Sequence, residues 1–325
     1  MRMMLDIVMP HYNEPWETVR PFYDMLGCQK GIDFNDFRVI LVHDGTDPLP
    51  DETFSSYPYK VEQHRIEHKG VSAARNHGMD LANSKWITFC DCDDTYSGIY
   101  SLKFVFDVLD TDNYDLLWGS FFTESQCKDG GLFLAMNERF NMIWTHNKYY
   151  RLDYLRKEEM RFQENLYFSE DSAFNAVLNA KLKHERIGKI KSPFPLYVWC
   201  YREGSATTNN DLTLKNLVGH HFRNRYVTDS YYELGNEDAD TMVVRTLTDA
   251  YIALTRKDIK DDMSEFERIV CEYLHQHKDA IRRVPQANVK RVMKASMREA
   301  EVNRWLNPDR PSFGDWLRQL ERKGG

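Results

Sequence analysis

The chain has 325 residues, of which 42% are apolar and 13% aromatic, which is enough for one or two domains with a large core. A net charge of −7 argues against a general nucleic-acid binder. The six cysteines form no CxxC pair, so we expect reduced thiols. No signal peptide is visible and no apolar run approaches the ~18 residues that span a bilayer, which predicts a cytoplasmic protein.

The N-terminal half alternates predicted strands with predicted helices. The strands are expected at 5–9, 37–43, 60–66 and 85–90, and the helices at 16–26 and 72–84. Pro10 is expected to stop the first strand, and Ser72 is expected to cap the second helix. This alternation predicts an α/β fold with a mostly parallel sheet and helices on both faces.

The pattern changes in the second half. We expect mixed strands and loop at 114–150, helices at 151–157 and 169–181, a last strand at 194–201, and a polar loop at 204–210. Ser169 is the expected N-cap of its helix. From about residue 212 the pattern is helical almost to the end. The sequence therefore predicts a catalytic domain at 1–210 and a helical region at 211–325.

Three carboxylates within four residues follow the fourth predicted strand: Asp91, Asp93 and Asp94. Such a cluster beside a core is costly unless a cation offsets it, and a hard divalent ion also binds phosphate oxygens. Ligands of parallel sheets lie beyond the carboxyl ends of the strands, where Tyr12 and Asp44 follow the first and second strands. The sequence predicts a metal–diphosphate site at this edge.

Several motifs in this order resemble those of family 2 glycosyltransferases with the GT-A fold. The resemblance spans roughly residues 5–210, and its motifs are Pro10–Asn13, Asp44–Thr46, Lys69–Gly78, Phe89–Asp94, 144–151 and 162–171. It implies an inverting glycosyltransferase that needs Mn²⁺ or Mg²⁺. The implied donor is a nucleotide diphosphate sugar, most simply a UDP-sugar, and the acceptor is the hydroxyl of a glycan, a glycopolymer or another molecule.

The resemblance also implies which residues contact the donor. Tyr12 would stack on the nucleobase, and Asp44 would accept a hydrogen bond from a base N–H, which favours uracil. Arg75 would clamp the diphosphate or a carboxylate of the site, and Arg202 would contact the diphosphate. The complete implied set is Pro10, Tyr12, Asn13, Asp44, Arg75, Asp91 and Arg202.

Each donor contact has an ordinary structural alternative. Tyr12 also fits a buried aromatic at a strand end, and Asp44 also fits a turn residue before glycine. Arg75 also fits a surface arginine paired with a nearby acid. These alternatives stay open at the level of sequence.

The metal would be held by the DxD pair, Asp91 and Asp93. In the family the first aspartate meets the ribose or the shell of the metal, and the last binds the ion that bridges the diphosphate. The alternative is an acidic turn that caps the next helix, and Asp94 is the aspartate most easily explained as structural. His220 and His221 are further candidates as metal ligands, although adjacent residues of a helix face different ways.

Glu170 and Asp171 open the predicted helix at 169. Acids there complement the helix dipole, which is the ordinary interpretation. Asp171 shares a helix face with Phe174 and Leu178, so it should point toward the core. The resemblance implies that this Glu-Asp pair supplies the base that deprotonates the acceptor, and one such displacement inverts the anomeric configuration.

The stretch 282–298 is basic and carries an apolar stripe. It predicts either a solvated helix packed on the main domain or a contact with an anionic acceptor or the inner face of a membrane. Other functions remain open: a sugar nucleotidyltransferase, a metal-dependent phosphohydrolase, a non-catalytic nucleotide-sugar-binding module, or a glycosyltransferase that modifies nucleic acid.

Overall fold

The computed structural model describes residues 3–127, 129–166, 168–203, 214–257, 262–296 and 309–323. The chain divides into two compact units, each with its own buried core. The sheet unit comprises Met1–Asn165 and Glu170–Asn209. The helical unit comprises Leu166–Ser169 and Asn210–Gly325, so a short segment just before Glu170 groups with the C-terminal helices.

The sheet unit contains both strands and helices. Its strands are β1 (Leu5–His11), β2 (Phe37–Asp44), β3 (Lys60–Ile66), β4 (Trp86–Phe89), β5 (Thr95–Tyr96), β6 (Leu116–Trp118), β7 (Phe121–Gln126), β8 (Leu132–Asn137), β9 (Lys148–Arg151), β10 (Ile187–Lys189) and β11 (Tyr197–Trp199). Its helices are α1 (Trp16–Gly27), α2 (Val71–Leu81), α3 (Ser101–Leu109), α4 (Leu152–Lys157) and α5 (Glu170–Lys181).

The main sheet has seven strands in the order β10-β6-β9-β4-β1-β2-β3. Only β9 runs antiparallel to its neighbours in this sheet. A second sheet has the order β5-β11-β7-β8. Strands β1 and β2 are buried along almost their whole length, as expected for a parallel sheet covered on both faces. The predicted α/β class with a mostly parallel sheet is confirmed.

The first strand does not stop at Pro10, which was the prediction, but continues to His11. Pro10 lies opposite Val42 of β2. The carbonyl of Val8 accepts the N–H of Cys90, so the backbone polar groups of Val8 face β4. Two residues later Pro10 faces the same side, where β4 has already ended at Phe89. The missing N–H of proline therefore breaks no hydrogen bond of the ladder.

The predicted N-cap Ser72 is wrong because this residue lies inside its helix, whereas Ser169 directly precedes its helix as predicted. Helix α2 begins one residue before Ser72, after Gly70, whose φ of 92° lies in the left-handed region that favours glycine. Helix α5 begins at Glu170, and the preceding Ser169 has a φ of 59° instead of the extended backbone of an ordinary N-cap.

Helix α2 lies close against the sheet because Gly78 has no side chain. A Cβ atom at Gly78 would lie 2.3 Å from Cγ1 of Val8 in β1. This close approach fixes the height of α2 above the strand ends. The glycine in the Arg75–Gly78 segment is thus a packing requirement.

The helical unit contains α6 (Leu214–Glu233), α7 (Ala239–Leu254), α8 (Ser264–Arg283), α9 (Gln286–Ser296) and α10 (Phe313–Lys323). Gly235, with a φ of 61°, lies in the break between α6 and α7. Among the residues described, no helix has the length and apolar character needed to cross a bilayer.

The apolar stripe of the basic stretch is used for packing inside this unit. Val289 and Val292 are each 9% exposed and belong to its core. Arg283 of the same stretch forms an ion pair with Asp240 at 2.6 Å. Residues 297 and 298, like the predicted polar loop at 204–210, lie outside the described residues.

The histidines considered as metal ligands also belong to the helical unit. His221 is fully buried, and the rings of Phe266 and Tyr273 meet it edge-on. The His220 ring packs edge-on against Phe168 at 4.8 Å. Neither histidine belongs to the one cluster of possible metal ligands found among the residues described.

Candidate active site

The carboxyl ends of β4, β1 and β2 lie side by side. Strand β1 pairs in parallel with both neighbours, so the loops that follow the three strands open at the same edge of the sheet. The N–H of Asn13 after β1 donates to Oγ1 of Thr46 after β2, at 3.0 Å. The topology thus brings the Tyr12, Asp44 and Asp91 loops to one crevice.

Tyr12 is exposed and already stacked on another ring. Its side chain is 48% exposed, so it is not the buried strand-end aromatic of the alternative interpretation. The His68 ring lies 4.3 Å away at an interplanar angle of 17°. A half-exposed tyrosine held parallel to a histidine suits a flat aromatic ligand.

Asp44 shapes the turn that leads into α2. Its carboxylate is 3% exposed and accepts the backbone N–H groups of Lys69 at 2.7 Å and Gly70 at 2.9 Å. His68 Nδ1 lies 2.9 Å from Oδ2 of the same carboxylate. A carboxylate has about four lone-pair positions, so these contacts leave little capacity for a further hydrogen bond. The structural role of Asp44 is clear, and its contact with a base stays a prediction.

Arg75 is buried and bridges two acids, so the interpretation as a surface arginine is wrong. The side chain is 5% exposed. One guanidinium nitrogen donates to Oε1 of Glu170 at 2.6 Å and the other terminal nitrogen donates to Oδ1 of Asp91 at 2.9 Å. Burial alone would lower the pKa of Arg75, but Asp91 and Glu170 raise it above its ordinary value. Arg75 therefore ties the end of β4 to the start of α5.

The three aspartates after β4 have three different environments. Asp94 is 2% exposed and accepts the Tyr197 hydroxyl at 2.8 Å and the N–H of Cys200 at 2.9 Å, as a structural residue would. Asp93 accepts a 2.7 Å hydrogen bond from Nε of Arg202. The Asp91 side chain keeps 33% of its surface exposed beside Arg75.

Each ionised aspartate of this cluster makes ionisation of the neighbouring aspartates less favourable. Burial and the charge of Asp91 raise the pKa of Asp93, and the same causes raise the pKa of Asp94 well above its ordinary value. For Asp91 burial acts in the same direction, but Arg75 outweighs it and lowers the pKa. A bound cation would relieve this repulsion, because it offsets the charges that oppose ionisation.

One group of possible metal ligands occurs among the described residues. It consists of Asp91, Asp94 and His146, whose ligand atoms all lie within 4.8 Å of one another. Burial lowers the pKa of His146 to about 4, so its imidazole is neutral, which is the form that binds metals. Carboxylates suit Mg²⁺ and Mn²⁺, so the donor set fits the predicted ion. Asp93, predicted as the main ligand, is ion-paired with Arg202 instead.

Asp171 lies in the first turn of α5 with the properties of a general base. Burial and the charge of Glu170 raise the pKa of Asp171 to about 7, whereas Arg75 acts in the opposite direction. One carboxylate oxygen accepts the N–H of Ser172 at 2.6 Å. A pKa near the working pH is what a general base requires. The role of Asp171 as base stays a prediction.

Comparison with known proteins decides the family. The sequence model of the family "Glycosyl transferase family 2" matches residues 6–171, about half of the chain. The chain belongs to glycosyltransferase family 2. This family 2 glycosyltransferase is accordingly a transferase enzyme.

Its relatives include three proteins of Bacillus subtilis. It is 26% identical to the glycosyltransferase EpsJ of Bacillus subtilis over 69% of this chain and 67% of that protein. It is 29% identical to the minor teichoic acid biosynthesis protein GgaA of the same organism over 58% of this chain, and the match spans 45% of GgaA. The match to the related protein GgaB spans only 25% of GgaB.

Solved structures show the same fold. The S. aureus TarS structure in complex with UDP superposes with a TM-score of 0.64 at 16% identity. The superposition covers 98% of this chain and 88% of that one. At this identity the likeness establishes the GT-A fold of the glycosyltransferase and leaves its substrates open.

Sequence reasoning missed three side chains of the candidate site. His146 lay inside a motif without being singled out, because no local spacing linked it to residues some fifty positions earlier. Lys148 is 2% exposed, and burial lowers its pKa to about 7. Glu14 accepts the N–H of Tyr12 at 2.7 Å and lies 3.6 Å from Arg202. Of the three, only Lys148 had a signal in the sequence, because a lysine next to tyrosines in a strand is unusual.

Proposed function

We propose that this glycosyltransferase moves a sugar from a UDP-linked donor to an acceptor hydroxyl with inversion of the anomeric configuration. The observation that carries the proposal is the bridge made by Arg75. It ties Asp91, at the end of β4, to Glu170, which precedes Asp171. The same arginine thus holds the expected diphosphate side and the expected base side of one reaction centre together.

The donor proposal rests on the nucleotide end of the crevice. Tyr12 offers a half-exposed ring for a base, and Asn13 is held in place by Thr46. TarS, which shares the fold, has been solved with UDP and with UDP-GlcNAc. Pro10 lies within β1 below this loop and would contribute shape, since it has no N–H to donate.

The acceptor proposal rests on the relatives. GgaA and GgaB carry names that assign them to minor teichoic acid biosynthesis. This chain spans less than half of each, so a glycan or glycopolymer acceptor is proposed for it by analogy alone. For an anionic polymer or an anionic lipid surface, the basic residues within 282–298 are the proposed contact.

In the proposed mechanism Asp171 accepts the proton of the acceptor hydroxyl while the oxygen attacks the anomeric carbon. The new glycosidic bond forms as the bond between that carbon and the diphosphate oxygen breaks, which releases UDP. Glu170 keeps Arg75 in position next to the place where the donor diphosphate is expected to bind. The proton stays on Asp171 until solvent removes it.

A divalent cation would offset the charge on the leaving diphosphate when it is bound. Asp91 is the residue common to the sequence prediction and to the cluster formed with Asp94 and His146. Asp93 would join it if Arg202 turned toward the diphosphate. We therefore propose Mn²⁺ or Mg²⁺ as the cofactor.

A thermal-shift panel tests the donor. The protein is melted with UDP, UDP-GlcNAc, UDP-glucose, GDP-mannose and CMP, each with and without Mn²⁺. Binding to the folded state raises the melting temperature by mass action, so a shift for the uridine ligands that needs Mn²⁺ is expected. A stronger shift with GDP-mannose or CMP would contradict the donor proposal.

Product analysis tests the reaction class. Transfer, or slow transfer to water, should release UDP from the donor identified by the panel. Release of pyrophosphate would instead indicate a sugar nucleotidyltransferase. Binding without any turnover would favour the non-catalytic binding module.

A further inference from the structure

Trp144 is a half-exposed aromatic residue in the loop before β9. Its side chain keeps 38% of its surface exposed. The Phe121 ring meets it edge-on at 5.9 Å, and the His146 ring lies 6.3 Å away at an interplanar angle of 23°. Two rings therefore hold the indole in position while part of it stays open to solvent.

The backbone of Trp144 is tied to the helix that carries Asp171. Its carbonyl oxygen accepts Nδ2 of Asn175 at 3.1 Å and also accepts the Lys148 ammonium. Asn175 is in turn fixed by the Tyr150 hydroxyl, which donates to its Oδ1 at 3.0 Å. Since Asn175 lies one turn after Asp171, the backbone of Trp144 has a defined position relative to the proposed base.

Trp144 is also close to the donor side of the centre. Its neighbour His146 belongs to the cluster whose ligand atoms lie within 4.8 Å of one another, together with Asp91. The indole is therefore one ring away from the acidic cluster, and the backbone of the same residue is tied to α5 one turn after Asp171. An acceptor hydroxyl that reacts must lie between these two groups.

The surroundings of the indole favour a neutral ligand. Phe121 carries no charge, and His146 is only 8% exposed. The Lys148 ammonium is 2% exposed and is directed at the Trp144 carbonyl. None of these three described neighbours offers an exposed positive charge to a phosphate group.

We propose that Trp144 is the specificity-determining residue of the acceptor subsite and stacks against the C–H face of a sugar ring. This inference rests on the proposed function, because it requires a transfer reaction at the same centre. A pyranose presents apolar C–H groups on its face and hydroxyls at its rim, which matches an indole face next to polar groups. The acceptor class is thus a glycan with a sugar at its acceptor end, as opposed to a bare polyol phosphate chain.

The test compares two variants, Trp144→Ala and Trp144→Phe, with a control, Tyr100→Ala, which removes another exposed aromatic side chain. The sugar probes are the methyl β-glycosides of glucose, galactose and N-acetylglucosamine. The polyol probes are glycerol 1-phosphate and ribitol 5-phosphate. Donor hydrolysis without acceptor is measured for every protein, because it needs no acceptor subsite.

Wild type should use at least one glycoside with a lower KM than either polyol phosphate. Trp144→Ala should raise that KM at least tenfold, and Trp144→Phe should raise it less than threefold. In both variants the rate of donor hydrolysis should stay within twofold of wild type and the melting temperature within 2 °C. The control Tyr100→Ala should match wild type within the same limits. An unchanged KM in Trp144→Ala overturns the inference. Preference for the polyol phosphates, or no use of any glycoside, also overturns it. Absence of donor hydrolysis by the wild-type protein would instead refute the proposed function.

Discussion

Arg202 donates a hydrogen bond from Nε to Oδ2 of Asp93, with 2.7 Å between the two atoms. The guanidinium also lies 3.6 Å from Glu14, so it joins the loop after β1 to the loop after β4. The side chain predicted to contact the diphosphate and the side chain predicted to bind the metal thus contact each other. A cation at Asp93 and the guanidinium compete for the same carboxylate.

This competition predicts opposite effects of Arg202→Gln on metal and donor. Removal of the guanidinium should tighten Mn²⁺ binding about three- to tenfold, because Asp93 loses its positive partner. Donor affinity should fall by at least tenfold, because the diphosphate loses a charged hydrogen-bond donor. Isothermal titration with Mn²⁺ and then with UDP at saturating Mn²⁺ separates the two. Equal weakening of both would show that Arg202 is only structural.

The Asp171→Asn substitution tests the proposed base. The amide cannot accept the acceptor proton, so we expect the transfer rate to fall by about 10²–10⁴. The Kd for UDP should change less than threefold, since Asp171 lies on the acceptor side. Asp107→Asn, an exposed aspartate on α3, is the matched control and should behave as wild type. A transfer rate near that of wild type in Asp171→Asn would contradict the proposed mechanism.

The raised pKa of Asp171 predicts the pH dependence. Burial and Glu170 bring that pKa to about 7, and only the ionised carboxylate accepts a proton. Log kcat/KM should therefore rise with unit slope up to about pH 7 and flatten above it. An acidic limb near pH 4 would contradict the assignment.

The same shift has a consequence for stability. The folded state holds the Asp171 proton at pH values where the unfolded chain has already released it, so this group makes unfolding easier as the pH rises from about 4 to about 7. Asp171→Asn should melt at or above the temperature of wild type at pH 8. Thermal melts of both proteins at pH 5 and pH 8 measure the difference, and a melting temperature of Asp171→Asn below that of wild type at pH 8 would contradict the prediction.

Removal of Arg75 should cost stability as well as activity. Arg75→Met leaves Asp91 and Glu170 without their common partner, and breaking a buried ion pair costs about 3–5 kcal/mol. Adding Glu170→Gln should recover part of the loss, because one of the two stranded charges is then absent. Urea unfolding of the single and double variants measures both. Additive losses would mean that the bridge does not couple the two acids.

Chelation should abolish transfer if the acidic cluster holds a metal. EDTA is expected to lower the rate at least tenfold, and Mn²⁺ or Mg²⁺ should restore it. Asp91→Asn should raise the Mn²⁺ concentration needed for half-maximal activity at least tenfold. His146→Gln and Asp93→Asn then distinguish which side chain completes the site. Full activity in EDTA would exclude metal dependence.

Residue order by itself determined the class of fold and the strands that carry the site. The alternation of apolar runs and helices predicted a parallel sheet, and the acids, Tyr12 and Asp44 fell at the carboxyl ends of its strands, where such sheets bind their ligands. The motifs also determined the family, since their order along the chain is a property of sequence.

Only the tertiary structure decided which charges meet. Arg75 and Glu170 are 95 residues apart, Arg202 and Asp93 are 109 apart, and no local periodicity reports such pairs. The course of the chain through Pro10 depended in the same way on where β4 ends. Helix and strand patterns are set by neighbours along the chain, whereas ion pairs and metal clusters are set by the packing of distant segments. For this reason the role of His146 and the contact of Arg202 with Asp93 could be found only in three dimensions.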